Sequence, residues 1–217
     1  MMLSPAVMSR IAGPLSSGAA MLAVAAACAA VAASLVLAPD SRGLWGAGLA
    51  VLMIAIAAVD AGSFIIPDPL TVAALVVGLA HAAADAPPGD MLAGVGWAVV
   101  RGAAPALVFL AVKFLYRWWR GRDGIGLGDV KLAAVGGVWL DWTAIPVAID
   151  IAAVAALGAY LVFYLFPRLR TRGGHARPIR TLRLPFGLFL APAIWLAFIA
   201  DAALMFDPFR PPMFSFH

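Results

Sequence analysis

Two aspartates have neighbours suited to acid–base chemistry. Asp60 closes an apolar run in Ala57-Ala58-Val59-Asp60. Asp129 follows three alternating glycines, Gly124, Gly126 and Gly128, and precedes Val130-Lys131-Leu132. Ionisable groups at the edge of hydrocarbon are costly, which makes them functional candidates. The alternative reading is that each simply ends a helix in the headgroup zone. The glycines favour chemistry at Asp129, because they free the backbone for close approach of another chain. Such a segment can offer its N–H and C=O groups to an extended peptide. The phosphate-loop pattern and the Gly-x-Gly-x-x-Gly dinucleotide pattern are both absent. Two carboxylates sharing a site do not both ionise readily, so one keeps a proton. The ionised one can activate water while the protonated one polarises a carbonyl. Asp129 should open a helix, where the dipole favours negative charge, and Asp60 should close one. That asymmetry makes Asp129 the expected base and Asp60 the expected acid.

The remaining polar residues form a second tier. Asp68, between Pro67 and Pro69, suits a turn or helix cap, with substrate positioning as the alternative. Lys131 suits either snorkelling to phosphates or tuning of the site. Arg101 and Asp150 fall at comparable depth in different apolar runs, which permits a structural ion pair. Pro105, Pro146 and Pro192 are expected to kink helices. His81 should pack between helices or lie at an interface. Three scattered histidines and one cysteine give no metal site, and no cofactor is expected. Cys28, in an alanine-rich run, is expected to serve small-residue packing.

These residues need elements that hold them in a membrane. The chain has 217 residues, 64% hydrophobic and 12% charged, with a mean hydropathy of +0.99. Soluble domains have about 45–50% apolar and about 25% charged residues, so a soluble domain is excluded. A bilayer core needs about 20 apolar helical residues. Apolar runs lie at roughly 17–38, 43–60, 69–84, 91–116, 128–140, 143–166 and 184–204. They predict an all-α polytopic bundle of about seven transmembrane helices. The first run is longer than a signal-peptide core and is read as a retained helix; the fifth is short for a full span. One side receives Arg10, the five basic residues from Lys113 to Lys131 and the six from Arg168 to Arg183. The other receives Arg42 and Arg210 with most of the aspartates. The positive-inside rule therefore predicts a cytoplasmic N-terminus and an outside C-terminus. It places Asp60 and Asp129 together at the cytoplasmic boundary. Trp118 and Trp119 should mark the inner interface, and Trp45, Trp139 and Trp142 the outer one. The basic inner loops are expected to meet anionic lipid; a nucleic-acid partner would need a soluble basic face and is not expected.

The run Gly124 to Leu132 resembles the Gly-x-Gly-Asp motif of the type IV prepilin leader peptidases. Asp60-Ala-Gly-Ser-Phe-Ile-Ile-Pro67-Asp68-Pro-Leu-Thr71 resembles that family's other aspartate region, and Leu184-Pro185-Phe186-Gly187 resembles the signature opening its last helix. The three motifs fall in the family's order. The resemblance implies an aspartic endopeptidase of the inner membrane, with Asp60 and Asp129 catalytic. It would cleave the short basic leader of pilin-like precursors after a glycine, at the cytoplasmic face. It also implies that Gly124, Gly126, Gly128, Lys131, Pro67, Asp68, Pro185, Phe186 and Gly187 shape the site or position the substrate. Members that also N-methylate the product carry an insert with cysteine pairs, so here peptidase activity without methylation is expected. Ala61-Gly62-Ser63 departs from relatives that carry charged residues there.

The chain is expected to be one unit over residues 1–217, an extra N-terminal helix over 1–42 preceding a peptidase core over 43–204. The rival functions are a proton-coupled small transporter using Asp60, Asp129 or Asp150, and a non-catalytic assembly factor of a secretion or pilus machine. A transporter predicts polar residues near the bilayer midplane and repeated halves, and no repeated half is visible. A presenilin-type protease would pair its motif with Tyr-Asp, which Val59-Asp60 does not match.

Overall fold

A computed structural model describes residues 17–121, 124, 126–170 and 185–205. The described residues form seven helices: α1 (Ser17–Leu37), α2 (Ser41–Ser63), α3 (Asp68–Asp85), α4 (Met91–Arg120), α5 (Leu127–Trp139), α6 (Ala144–Arg170) and α7 (Gly187–Met205). Six of them are long and apolar enough to cross a membrane, as the apolar runs predicted for a polytopic membrane protein. Arg10, Arg122, residues 171–184 with the basic loop and Leu184, and Arg210 lie outside the described residues.

The helices are apolar almost all round, so their outer faces carry exposed Leu22, Val36, Leu92, Val100, Leu107 and Val154. In water such surfaces are unstable; in lipid they need no cover. The inner core joins α2 and α7 through Leu49, Met53, Ile56, Leu190, Ile194 and Phe198. Helix α1 packs on α2 and touches α7, where Trp195 Nε1 donates to Ser34 Oγ at 3.0 Å.

Helix α5 explains the short fifth run. Its 13 residues make about 20 Å, against about 30 Å of hydrocarbon. It is enclosed by α3, α4 and α7, and its second half from Leu132 onward is almost entirely buried. Protein surrounds its C-terminal part, while Leu127 and Lys131 at its start are exposed, so the helix need not match the hydrocarbon thickness by itself. Two glycines allow this burial. A Cβ on Gly137 would run into the Arg101 carbonyl. That carbonyl lacks its helical donor because Pro105 has no N–H, and it faces the Gly137 backbone instead. A Cβ on Gly102 would lie 2.7 Å from Val138.

Several local expectations change. Trp139 is buried at 3% exposure rather than interfacial, because its Nε1 donates to Ala74 O at 2.8 Å and ties α5 to α3. His81 packs among Trp45, Trp139 and Phe198, with ring centroids 5.3–5.5 Å apart. Trp118, Trp119 and Trp142 are exposed. Cys28 is exposed on α1, so it does not serve interior packing. Pro146 falls in the first turn of α6, where Pro costs no hydrogen bond. The expected pair of Arg101 with Asp150 is not formed: Arg101 Nη1 lies 3.3 Å from Asp141 Oδ1, and Asp150 is exposed on α6. Matching depth in two runs says nothing about which faces meet, and α4 packs on α3 and α5.

Candidate active site

Asp60 lies in the last turn of α2 and is 4% exposed. Its carboxylate Oδ2 accepts the Leu188 backbone N–H at 2.9 Å, and the Gly187 N–H faces it as well. These are orphan donors at the start of α7, which a carboxylate satisfies. Gly187 is required there, since a Cβ would sit 2.7 Å from Asp60 Oδ2 and 2.9 Å from Ile66 Cδ1. The Pro185-Phe186-Gly187 segment thus seats the first carboxylate.

Asp129 lies in the first turn of α5 and is half-buried. Its Oδ2 accepts the Gly126 N–H at 3.2 Å, the return bond of a helix cap. The Asp60 carboxylate is close enough to act on Asp129 electrostatically, as is Lys113 of α4. The two candidate aspartates thus lie within electrostatic range of each other. Both now sit at helix N-termini, Asp129 at its own and Asp60 at that of α7. The dipole argument that made one the base and the other the acid no longer separates them.

Ile66 holds the arrangement together, and the sequence offered no sign of it. It is 7% exposed. Its side chain lies 3.1 Å from where a Gly128 Cβ would be and 2.9 Å from where a Gly187 Cβ would be. One isoleucine is wedged between two motif glycines. The chain reaches it through Phe64, whose φ of 56° is left-handed, a conformation costing an L-residue about 1–2 kcal/mol. The Phe64 N–H donates to Asp60 O at 2.9 Å, and the turn sends Ile66 inward. Thr71 Oγ1 then fixes the Pro67 carbonyl at 2.9 Å.

Asp68 and Lys131 form an ion pair at 2.6 Å. Asp68 opens α3 without capping it by a side-chain hydrogen bond, since the N-cap is Pro67. The pair ties the turn after Asp60 to the residues after Asp129. Phe186 packs its ring 6.5 Å from that of Phe109 on α4. Gly124 lies against Tyr116, whose ring a Cβ would meet at 2.6 Å. Among the described residues no group of three or more His, Cys or Asp side chains could hold a metal.

Two carboxylates at the same end of the helical bundle, on separate helices and beside glycines, mark a membrane protein with a candidate carboxylate pair. Residues 47–162 match the type IV leader peptidase family, and the chain belongs to that family. It is 35% identical over 153 residues to a prepilin leader peptidase/N-methyltransferase of Burkholderia pseudomallei, covering 70% of this chain and 45% of that protein. It is 30% identical over 194 residues to the enzyme of the same name from Aeromonas hydrophila, covering 86% and 59%. Leader peptidase HopD of Escherichia coli is 35% identical over 134 residues, covering 62% of this chain and 78% of that protein. The chain spans about half the length of the first of these relatives. No solved structure matches it.

Proposed function

We propose that the chain is an aspartic endopeptidase that removes the leader of pilin-like precursors, with Asp60 and Asp129 as its catalytic pair. The observation that supports this most is their convergence: carboxylates from α2 and α5 reach electrostatic contact beside the Gly124–Gly128 segment. The ionised carboxylate takes a proton from water, and the resulting hydroxide attacks the scissile carbonyl. The protonated carboxyl donates its hydrogen bond, then its proton, to the carbonyl oxygen. Collapse of the tetrahedral species returns one hydroxyl proton to the carboxylate that had given it and expels the amine, which leaves with the proton that the base took from water. Because the two titrations belong to the pair, either aspartate can begin as base.

In this reading Gly124, Gly126 and Gly128 give the substrate backbone access. Asp68 and Lys131 act as a strut that positions, and Pro185, Phe186 and Gly187 seat Asp60. The peptidase core runs over 43–204, and α1 is an added helix on one unit of 1–217. The basic clusters orient the bundle with its aspartates at the cytoplasmic face of the inner membrane, among anionic lipids.

The test mixes purified protein in detergent with candidate pilin precursors and reads the new N-terminus by mass spectrometry. Cleavage after a glycine, lost in both Asp60→Asn and Asp129→Asn, is the expected result. Cleavage at normal rate by either variant rejects the mechanism.

A further inference from the structure

The two carboxylates are placed by the starts of two helices. Asp60 Oδ2 is fastened to the Leu188 N–H at the start of α7, and Asp129 stands in the first turn of α5. The separation of the carboxylates therefore follows the separation of those helix starts. One side chain touches both. The same atom, Ile66 Cδ1, lies 3.1 Å from where a Gly128 Cβ would be and 2.9 Å from where a Gly187 Cβ would be. Gly128 precedes Asp129, and Gly187 precedes Leu188. Because both are glycines, Ile66 meets main chain rather than a rotatable side chain, and packed main chain yields little.

The segment carrying Ile66 is itself pinned. Ser63 Oγ donates to Val59 O at 2.7 Å, with Ile65 O also in reach at 3.3 Å. Thr71 Oγ1 donates to Pro67 O at 2.9 Å, and Asp68 is joined to Lys131 of α5 at 2.6 Å. Carbonyls on both sides of Ile66 are thus engaged, and Phe64 keeps its left-handed φ of 56° in the same turn. Phe64 and Ile65 are each 55% exposed, whereas Ile66 is 7% exposed. The turn sends only Ile66 inward.

We propose that Ile66 is a positioning residue, a spacer whose side-chain length sets the separation of Asp60 and Asp129. As a statement about catalysis this rests on the peptidase reading; as a statement about distance it does not. A shorter side chain lets the starts of α5 and α7 approach, and carboxylates that approach interact more strongly. A role in packing alone predicts lower stability with the carboxylates undisturbed.

The experiment compares wild type with Ile66→Leu, Ile66→Val and Ile66→Ala in detergent. Thermal unfolding identifies the folded samples, site-resolved infrared titration reads Asp60 and Asp129, and the cleavage assay gives kcat and KM. Lys113, which acts on Asp129, and the Asp68–Lys131 pair are unchanged in every variant, so a moved titration reports distance. In Ile66→Ala the two apparent pKa values should stand further apart, and kcat should fall about 100-fold with KM within about twofold of wild type. Ile66→Val should change in the same sense, by about 10-fold in kcat, and carries the test should Ile66→Ala not be recovered folded. Ile66→Leu, of equal volume, should stay within about threefold of wild type. Titrations unmoved in the recovered variant overturn the proposal, whatever its stability. Moved titrations with wild-type kcat overturn the part of Ile66 in catalysis. Absence of cleavage by wild type rejects the peptidase reading instead, and the titrations then decide the spacer by themselves.

Discussion

The Asp60 carboxylate accepts the Leu188 N–H at 2.9 Å across a sequence separation of 128. The end of α2 is thereby fastened to the beginning of α7, and one face of Asp60 is committed to structure. An asparagine keeps this bond, because its amide oxygen accepts equally well. Asp60→Asn should therefore fold normally while leader cleavage falls at least about 1,000-fold. Thermal unfolding and a cleavage assay on one sample check both halves. A variant that is inactive because it is unfolded would leave the proposed chemical role without support.

Gly187→Ala should damage the site rather than the bundle. The new methyl would meet Asp60 Oδ2 and Ile66 Cδ1, and the carboxylate must move aside. Misplacement of a catalytic group by about 1 Å costs on the order of 100-fold. The expected outcome is a kcat lowered about 100-fold at near-normal thermal stability. Wild-type kcat would show that the close contact is incidental.

The Asp68–Lys131 pair is short but its side chains are 69% and 48% exposed. Exposed pairs contribute about 0–1 kcal/mol, so neither Asp68→Asn nor Lys131→Gln should lower stability by more than that. If the pair acts as a strut, the double variant should cleave no more slowly than the worse single variant. Additive losses in kcat would mean that the two residues act separately.

Gly137 and Gly158 make a matched comparison on helical backbone. Gly137→Ala places a methyl against the Arg101 carbonyl, whereas Gly158 has nothing within 4 Å of its would-be Cβ. Overpacking costs about 1–3 kcal/mol, so Gly137→Ala should unfold at lower temperature. Gly158→Ala should be neutral or slightly stabilised by its helix preference. Equal melting temperatures would contradict the tight α4–α5 contact.

Trp139→Phe keeps the ring stack on His81 but loses the donor to Ala74 O. A buried neutral hydrogen bond contributes about 0.5–1.5 kcal/mol. A loss in that range, read by chemical unfolding in detergent, is expected. No loss would remove the tie between α3 and α5.

The sequence by itself determined the membrane class and the positions of the apolar helices, and it singled out the two candidate aspartates. Length and hydropathy are enough to decide what dissolves in lipid, and a Gly-x-Gly-Asp run is a local signal. It also placed Asp60 and Asp129 at one depth, because alternate helix direction follows from counting spans. What depth cannot show is azimuth, the direction in which each helix face looks. Arg101 and Asp150 match in depth, yet Arg101 turns to Asp141; Trp139 turns inward. Only the tertiary structure decided that Ile66 wedges between Gly128 and Gly187 and that α7 donates to Asp60. Those contacts join residues far apart in the chain, and they depend on packed shape, which hydrophobic pattern does not encode.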